Sequence, residues 1–325
     1  MTSASFLADA ADAVLGASVV GSFSRIGISV RSRLLPEFIR DTRPPSAGRV
    51  ALVTGATSGL GRAAACDLAR RGWIVHFLAR DPGRAAAAQR QISLAGGDDR
   101  VSYGIADMDD LDSVRAFAGD FLGSHDRLDA LVQAAGAIHP RFGVNQAGTE
   151  LTWAGQVVAP FALTELLLPA LRAAAPARVI TVSSGGMYTQ RLEESALEMA
   201  PSGYRGVTAY ARAKRAQVAL SREWARRIDP AEVAFHAMHP GWAATPGITA
   251  SLPGFSRVMG PLLRSADQGA DTIVWLATIS ASQLGSGRFW LDRRPRPEYP
   301  LPWTREQDPG TAGRLWDSVA QAARP

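Results

Sequence analysis

Seven short apolar runs recur along this chain with helical patterns between them, and that alternation constrains the fold more than any other feature. The runs are Val50 to Val53, Trp73 to Ala79, Val101 to Ala106, Leu128 to Gln133, Val179 to Val182, Val233 to Met238 and Arg288 to Leu291. Helical spacing marks Gly61 to Arg71, Leu111 to Leu122, Thr149 to Ala174, Thr208 to Ile228 and Ala266 to Ala277. Near-continuous apolar strands read as buried on both faces, and strands joined through helices pair in parallel. The expectation is an α/β protein with a doubly wound parallel sheet in one domain, 47–292. An N-terminal extension, 1–46, precedes it, and a tail, 293–325, follows.

Composition narrows the class. With 325 residues, 46% of them hydrophobic, the chain can bury a full core. Cys66 is the single cysteine, so no disulfide is possible within the chain and a cytoplasmic setting is expected, with Cys66 as a buried structural thiol. The net charge of +5 comes from scattered arginines without a basic, aromatic-interleaved stripe, which argues against nucleic acid as a partner. His236 and His239 form the only close histidine pair, and their place at a strand end argues against a metal site. In the extension, Val14 to Val30 is mostly small and apolar. Arg25 interrupts it, Gly16, Gly21 and Gly27 weaken it, and it is short for a membrane span. Three arginines and no acid between Ala13 and Pro36 suit peripheral membrane contact through residues 14–30, as an alternative to packing on the core or against a second copy in a homo-oligomer. Pro44-Pro45-Ser46 reads as a linker, and the Pro- and Arg-rich tail after Asp292 as surface wrapping or disorder.

The chemistry sits where the strands end. Thr54-Gly55-Ala56-Thr57-Ser58-Gly59-Leu60-Gly61 follows the first strand and opens a helix. Glycines there let the backbone approach a pyrophosphate, whose charge meets the free N–H groups of the helix start. Gly55, Ser58, Gly59, Leu60 and Gly61 are therefore candidate cofactor contacts. At the end of the second strand Arg80 stands where a 2′-phosphate would lie, which favours NADP(H) over NAD(H). Asp81, just before Pro82, reads as a helix N-cap. Asp107, after the third strand, is placed to accept from the adenine amine. Ser183 and Ser184 present hydroxyls after the fifth strand, and Tyr210 and Lys214 lie one helical turn apart on one face. Lys214 is the only lysine among thirty-five basic residues. A phenol titrates near 10, so work near neutrality asks for about 3 to 4 kcal/mol. One ammonium at about 4 Å supplies roughly that, provided water is excluded.

In this order, TGATSGLG, Ser184, Tyr210 with Lys214, and His239-Pro240-Gly241-Trp242-Ala243-Ala244-Thr245 resemble the short-chain dehydrogenase/reductase family, which has a Rossmann-type fold, over about Arg49 to Arg294. The stretches VITVSSGGM, MHPGWAATPG and LRSADQGADTIVWLA look like its retinol-dehydrogenase-like branch. The resemblance implies that Tyr210 protonates a carbonyl oxygen as hydride arrives, that Ser184 hydrogen-bonds that oxygen, and that Lys214 depresses the phenol pKa and binds the nicotinamide ribose. It places Thr245 at the carboxamide and Pro240-Gly241 around the nicotinamide ring. Gln133-Ala134-Ala135-Gly136 replaces the family's Asn-Asn-Ala-Gly, with Ala134 and Gly136 at the cofactor and an interstrand tie lost at Ala134. Gln156 aligns with the helix asparagine that completes the family's catalytic set, so a water relay to Lys214 would have to shift. A lid carrying Leu252, Phe255, Met259 and Leu262, with walls from Trp153 and Tyr188, favours a lipophilic carbonyl or alcohol. The expected activity is NADP(H)-dependent oxidation–reduction; the alternative is a weak or inactive nucleotide-binding sensor or scaffold.

Overall fold

The computed structural model describes residues 3–39, 47–193, 198–251, 253–280, 283–306 and 308–324, so the 44–46 linker and Leu252 lie outside the described residues. Its strands are β1 (Val50–Thr54), β2 (Ile74–Ala79), β3 (Val101–Ile105), β4 (Ala130–Gln133), β5 (Ala177–Val182), β6 (Val233–Met238), β7 (Arg288–Leu291) and β8 (Arg294–Pro295). The order is β3-β2-β1-β4-β5-β6-β7-β8, parallel throughout except between β7 and β8. The doubly wound parallel sheet expected from the apolar runs is therefore present.

The helices are α1 (Ser3–Gly16), α2 (Val19–Phe23), α3 (Arg25–Leu34), α4 (Pro36–Ile39), α5 (Gly59–Arg70), α6 (Pro82–Gly96) and α7 (Leu111–Ser124). They continue with α8 (Leu151–Trp153), α9 (Ala159–Ala173), α10 (Gly206–Arg227), α11 (Pro246–Ser251), α12 (Pro253–Met259), α13 (Ala266–Thr278) and α14 (Thr311–Ala323). Local chemistry sets several of their ends. Asp81 accepts from Arg84 N at 2.7 Å ahead of Pro82, and Ser265 and Gln268 form a reciprocal capping box on α13. On one face of the sheet α7, α9, α10 and α14 bury a core around Phe121, Leu131, Leu163 and Val179. On the other, α5, α6 and α13 pack Leu68, Val75, Phe77 and Ile273. Cys66, on α5, is half-buried rather than fully enclosed. The run Leu151–Ala173 is long and apolar enough to cross a membrane, but it is mostly buried as a core helix.

Three features go beyond the sequence reading. First, the chain after Asp292 adds β8 and α14. Leu315 and Val319 on α14 are buried, and Trp316 meets Phe161 at 4.8 Å and Trp224 at 4.6 Å between ring centres. An apolar stripe at helical spacing closes the core there, so the tail is not mere wrapping. Second, the turn into β8 holds Asp292 and Arg293 at φ 52° and 60°. This left-handed conformation costs roughly 1–2 kcal/mol per non-glycine residue. It is held by Arg293 N donating to Thr272 Oγ1 at 3.2 Å and by the Asp292 carboxylate, buried between Arg31 and Arg264. Third, the extension reaches inward: Arg31 on α3 is fully buried and donates to Asp12 at 2.6 Å and Asp292 at 2.8 Å.

Candidate active site

Strand order reverses at β1. From there the chain moves out to β2 and β3, then returns to β4 on β1's other side, leaving a crevice beyond the carboxyl ends of β1 and β4. The glycine turn fills one wall of it. Gly55 has φ 73°, and a Cβ there would lie 2.8 Å from the Ala135 backbone; a Cβ at Gly61 would meet Gly55 O at 2.5 Å. Only glycine allows the turn to lie this close to both the β4 loop and the helix start. Ser58 precedes α5 without spending its hydroxyl on a cap bond, and Leu60 packs at the start of the helix. A Cβ at Gly59 would stand 3.2 Å from Thr245 Cγ2, so the turn and the β6 loop face each other. A cradle of unfilled backbone at a helix N-terminus fits a dinucleotide pyrophosphate.

At the edge of this crevice, Arg80 is exposed and lies 3.8 Å from Asp107 and 3.9 Å from Asp109. Pairs this long and solvated are worth little, so the guanidinium is free to turn to a phosphate. The Asp107 carboxylate accepts from Asp109 N at 3.1 Å, so it also caps its own loop. Burial, with the nearby Asp107 charge, raises the Asp109 carboxyl above its usual range. The tie expected to be lost at Ala134 is made in two other ways. Thr54 Oγ1 accepts from Ala134 N at 3.1 Å and Ala135 N at 3.0 Å. The buried Gln133 amide donates to Pro160 O at 2.8 Å and accepts from Thr181 Oγ1 at 3.0 Å, linking β4, β5 and α9.

Farther along the same edge, β5 ends at Ser183 and Ser184, which take different tasks. Ser183 is buried and donates to Lys214 O at 3.0 Å, fixing α10 to the strand. Ser184 is half-buried and hydrogen-bonds the Tyr210 phenol. Burial raises the phenol above its ordinary value, and the Ser184 hydrogen bond opposes that rise. The Lys214 ammonium lies over the face of the phenol ring and spends its hydrogen bonds on other groups. Lys214 Nζ lies 5.4 Å from the centre of the Tyr210 ring and donates to Val182 O and to Gln217 Oε1, each at 3.0 Å. Desolvation pulls the lysine down to about 7.

Gln156 sits in a π-helical turn, Ala154–Val158, a local unwinding common at functional sites. Its Nε2 donates to Ala137 O at 2.6 Å, while its Oε1 is buried without a partner among the described residues. A Cβ at Gly136 would lie 3.1 Å from Gln156 Oε1 and 3.2 Å from Lys214 Nζ, so both groups converge over this glycine. The direct link runs through Gln217, whose Nε2 donates to the Gln156 backbone carbonyl. Gln217 carries no motif of its own; its only signal is its place one turn after Lys214 on α10.

Above the site, Gly241 has φ 74° and Thr245 opens toward α11. Phe255 on α12 meets Trp242 at 5.4 Å between ring centres, and Met259 and Leu262 are half-buried beside it. Tyr188 and Trp153 are buried. His236 and His239 do not act together: His236 Nδ1 accepts from Trp290 Nε1 at 3.2 Å and His239 Nδ1 from Gly241 N at 3.0 Å.

A doubly wound sheet with a glycine cradle at its switch point, and a serine, tyrosine and lysine beside it, defines a nicotinamide-dependent oxidoreductase. The short chain dehydrogenase family model matches residues 49–253, and the chain belongs to that family. It is 38% identical over 278 residues to human dehydrogenase/reductase SDR family member 12, covering 85% of this chain and 87% of that protein. Mouse retinol dehydrogenase 11 is 30% identical over 279 residues, covering 83% and 84%. Among solved structures, the Pseudomonas aeruginosa RhlG/NADP active-site complex aligns with a TM-score of 0.61 and 25% identity, over 75% of this chain and 94% of that one.

Proposed function

We propose that this chain interconverts lipophilic carbonyl compounds and their alcohols with NADP(H). The observation that carries this reading is the meeting of Ser184, Tyr210 and Lys214 beside the glycine cradle, at one edge of the sheet. Bound NADPH supplies the hydride. Tyr210, held protonated at neutral pH by burial, donates its phenolic proton to the carbonyl oxygen as charge develops there. Ser184 hydrogen-bonds the same oxygen and fixes it beside the phenol. Lys214 commits two of its three protons to Val182 and Gln217, which leaves one for the nicotinamide ribose hydroxyls. Gln217 and Gln156 act as positioning residues, holding the ammonium over Gly136.

Arg80 supports NADP(H), since its guanidinium is exposed and its ion pairs among the described residues are long, and NADP in the RhlG complex is consistent with that choice. The half-buried Phe255, Met259 and Leu262, together with likeness to a retinol dehydrogenase, support a lipophilic substrate. On the outer side of the extension, Val14, Val19, Val20, Ile26 and Leu34 are exposed beside Arg25 and Arg33, which favours peripheral contact with an anionic membrane. Equal sedimentation with anionic vesicles of the full chain and of a variant with these five residues changed to serine would rule that contact out. For the cofactor, Arg80→Ala weakens NADPH binding roughly 10- to 100-fold, the loss of a charge-assisted contact, and leaves NADH nearly unchanged. Equal effects on both in a fluorescence titration would remove the NADP assignment.

A further inference from the structure

The N-terminal extension reaches the catalytic edge of the sheet. Phe23, the last residue of α2, lies between the loop that carries Ser184 and the loop that carries Gly241. Its ring centre is 4.4 Å from His239, 5.7 Å from Trp242 and 6.0 Å from Tyr188. A Cβ at Gly185, next to Ser184, would lie 3.1 Å from Phe23 Cε2. Trp242 in turn meets Phe255, so a row of aromatic faces runs from beside Ser184 to α12.

The backbone at Phe23 is held by several independent contacts. Phe23 O accepts from Trp242 N at 2.8 Å and from Arg264 Nε at 3.0 Å, and Arg264 Nη2 donates to Ser22 O at 2.8 Å. A Cβ at Gly241 would fall 2.6 Å from Phe23 O, so this loop is shaped around the extension. Arg31 donates to Ser22 O at 3.0 Å from the other side, and Asp292 pairs with both arginines, Asp12 supplying a second carboxylate to Arg31. Despite this anchoring, Phe23, Trp242 and Phe255 are only partly buried. Rigid aromatic faces left partly open beside a catalytic edge gain most when a flat apolar group covers them.

We propose that the extension is a wall of the substrate pocket, with Phe23 as a substrate-contacting residue. Together with Trp242 and Phe255 it takes a flat, unsaturated portion of a lipophilic carbonyl compound. This rests on the oxidoreductase reading for where the carbonyl lies, but not for whether it is turned over. The test uses the full chain saturated with NADP+ and titrated by calorimetry with methyl naphthyl ketone and with methyl hexyl ketone. The wild type is expected to prefer the flat ketone. Phe23→Ala and Phe23→Leu should each cut that preference roughly 3- to 10-fold, the span of one aromatic contact, with melting temperatures recorded alongside. A preference restored by Phe23→Leu would mean apolar packing alone, and one that neither variant changes would remove Phe23 from the pocket; either result overturns the proposal, as does a wild type that binds neither ketone. Wild-type binding and preference without any NADPH-driven reduction would instead overturn the oxidoreductase reading and leave the wall in place.

Discussion

Lys214 Nζ spends two protons on Val182 and Gln217 before any ligand arrives, and burial brings its pKa to about 7. The sign of the resulting pH dependence follows from its role. Lys214 works as a cation, so activity that depends on it is present below about 7 and is lost as pH rises through that value. Tyr210, shifted upward, stays protonated across the same window and does not set that limb. Gln217→Leu removes an acceptor that favours the ammonium, so the alkaline limb of kcat/KM for NADPH should move to lower pH. Misplacing Lys214 should also lower kcat by on the order of 10-fold or more. An unshifted pH profile with unchanged kcat would show that Gln217 is packing only.

At the scale of elements, what was legible follows from how local each signal is. The glycine turn, Ser184, Tyr210 and Lys214 each sit within one strand end or one helical turn, where spacing along the chain fixes spacing in space. Gln156 was legible as a position but not as a geometry, because the π-turn that carries it commits its Nε2 to Ala137 and leaves its Oε1 near Lys214 over Gly136. Helix α14 was not legible, although Leu315 and Val319 fall four residues apart, because it follows a Pro- and Arg-rich stretch that reads as surface. Phe23 was beyond reach, since its partners Tyr188, His239 and Trp242 lie far along the chain. The role of α14 in closing the core gives a direct check. Leu315→Ala should destabilise the protein by roughly 2–5 kcal/mol in denaturant titration, as for a fully buried leucine. A change near zero would mean that α14 is dispensable dressing.

Across the whole molecule, one buried charge cluster joins the two ends of the chain to the catalytic edge. Asp292 lies between Arg31 of the extension and Arg264, the same arginine that carries the backbone of Phe23. Asp292→Ala leaves two buried guanidinium groups without their shared counter-ion, a change that typically costs roughly 3–5 kcal/mol. The extension should then become protease-sensitive ahead of global unfolding, and a variant that stays as resistant as the wild type would show that the cluster does not anchor it. The account as a whole stands on hydride transfer at the Ser184, Tyr210 and Lys214 edge. Its most direct measurement is mass spectrometry of the alcohol formed when the full chain, methyl naphthyl ketone and NADPH deuterated at the transferred position are incubated together. The expected result is an alcohol carrying one deuterium at its carbinol carbon, with Tyr210→Phe slowing its formation by about 100-fold or more while NADPH still binds. NADPH bound tightly by the wild type, with no label reaching any carbonyl substrate, would contradict the account.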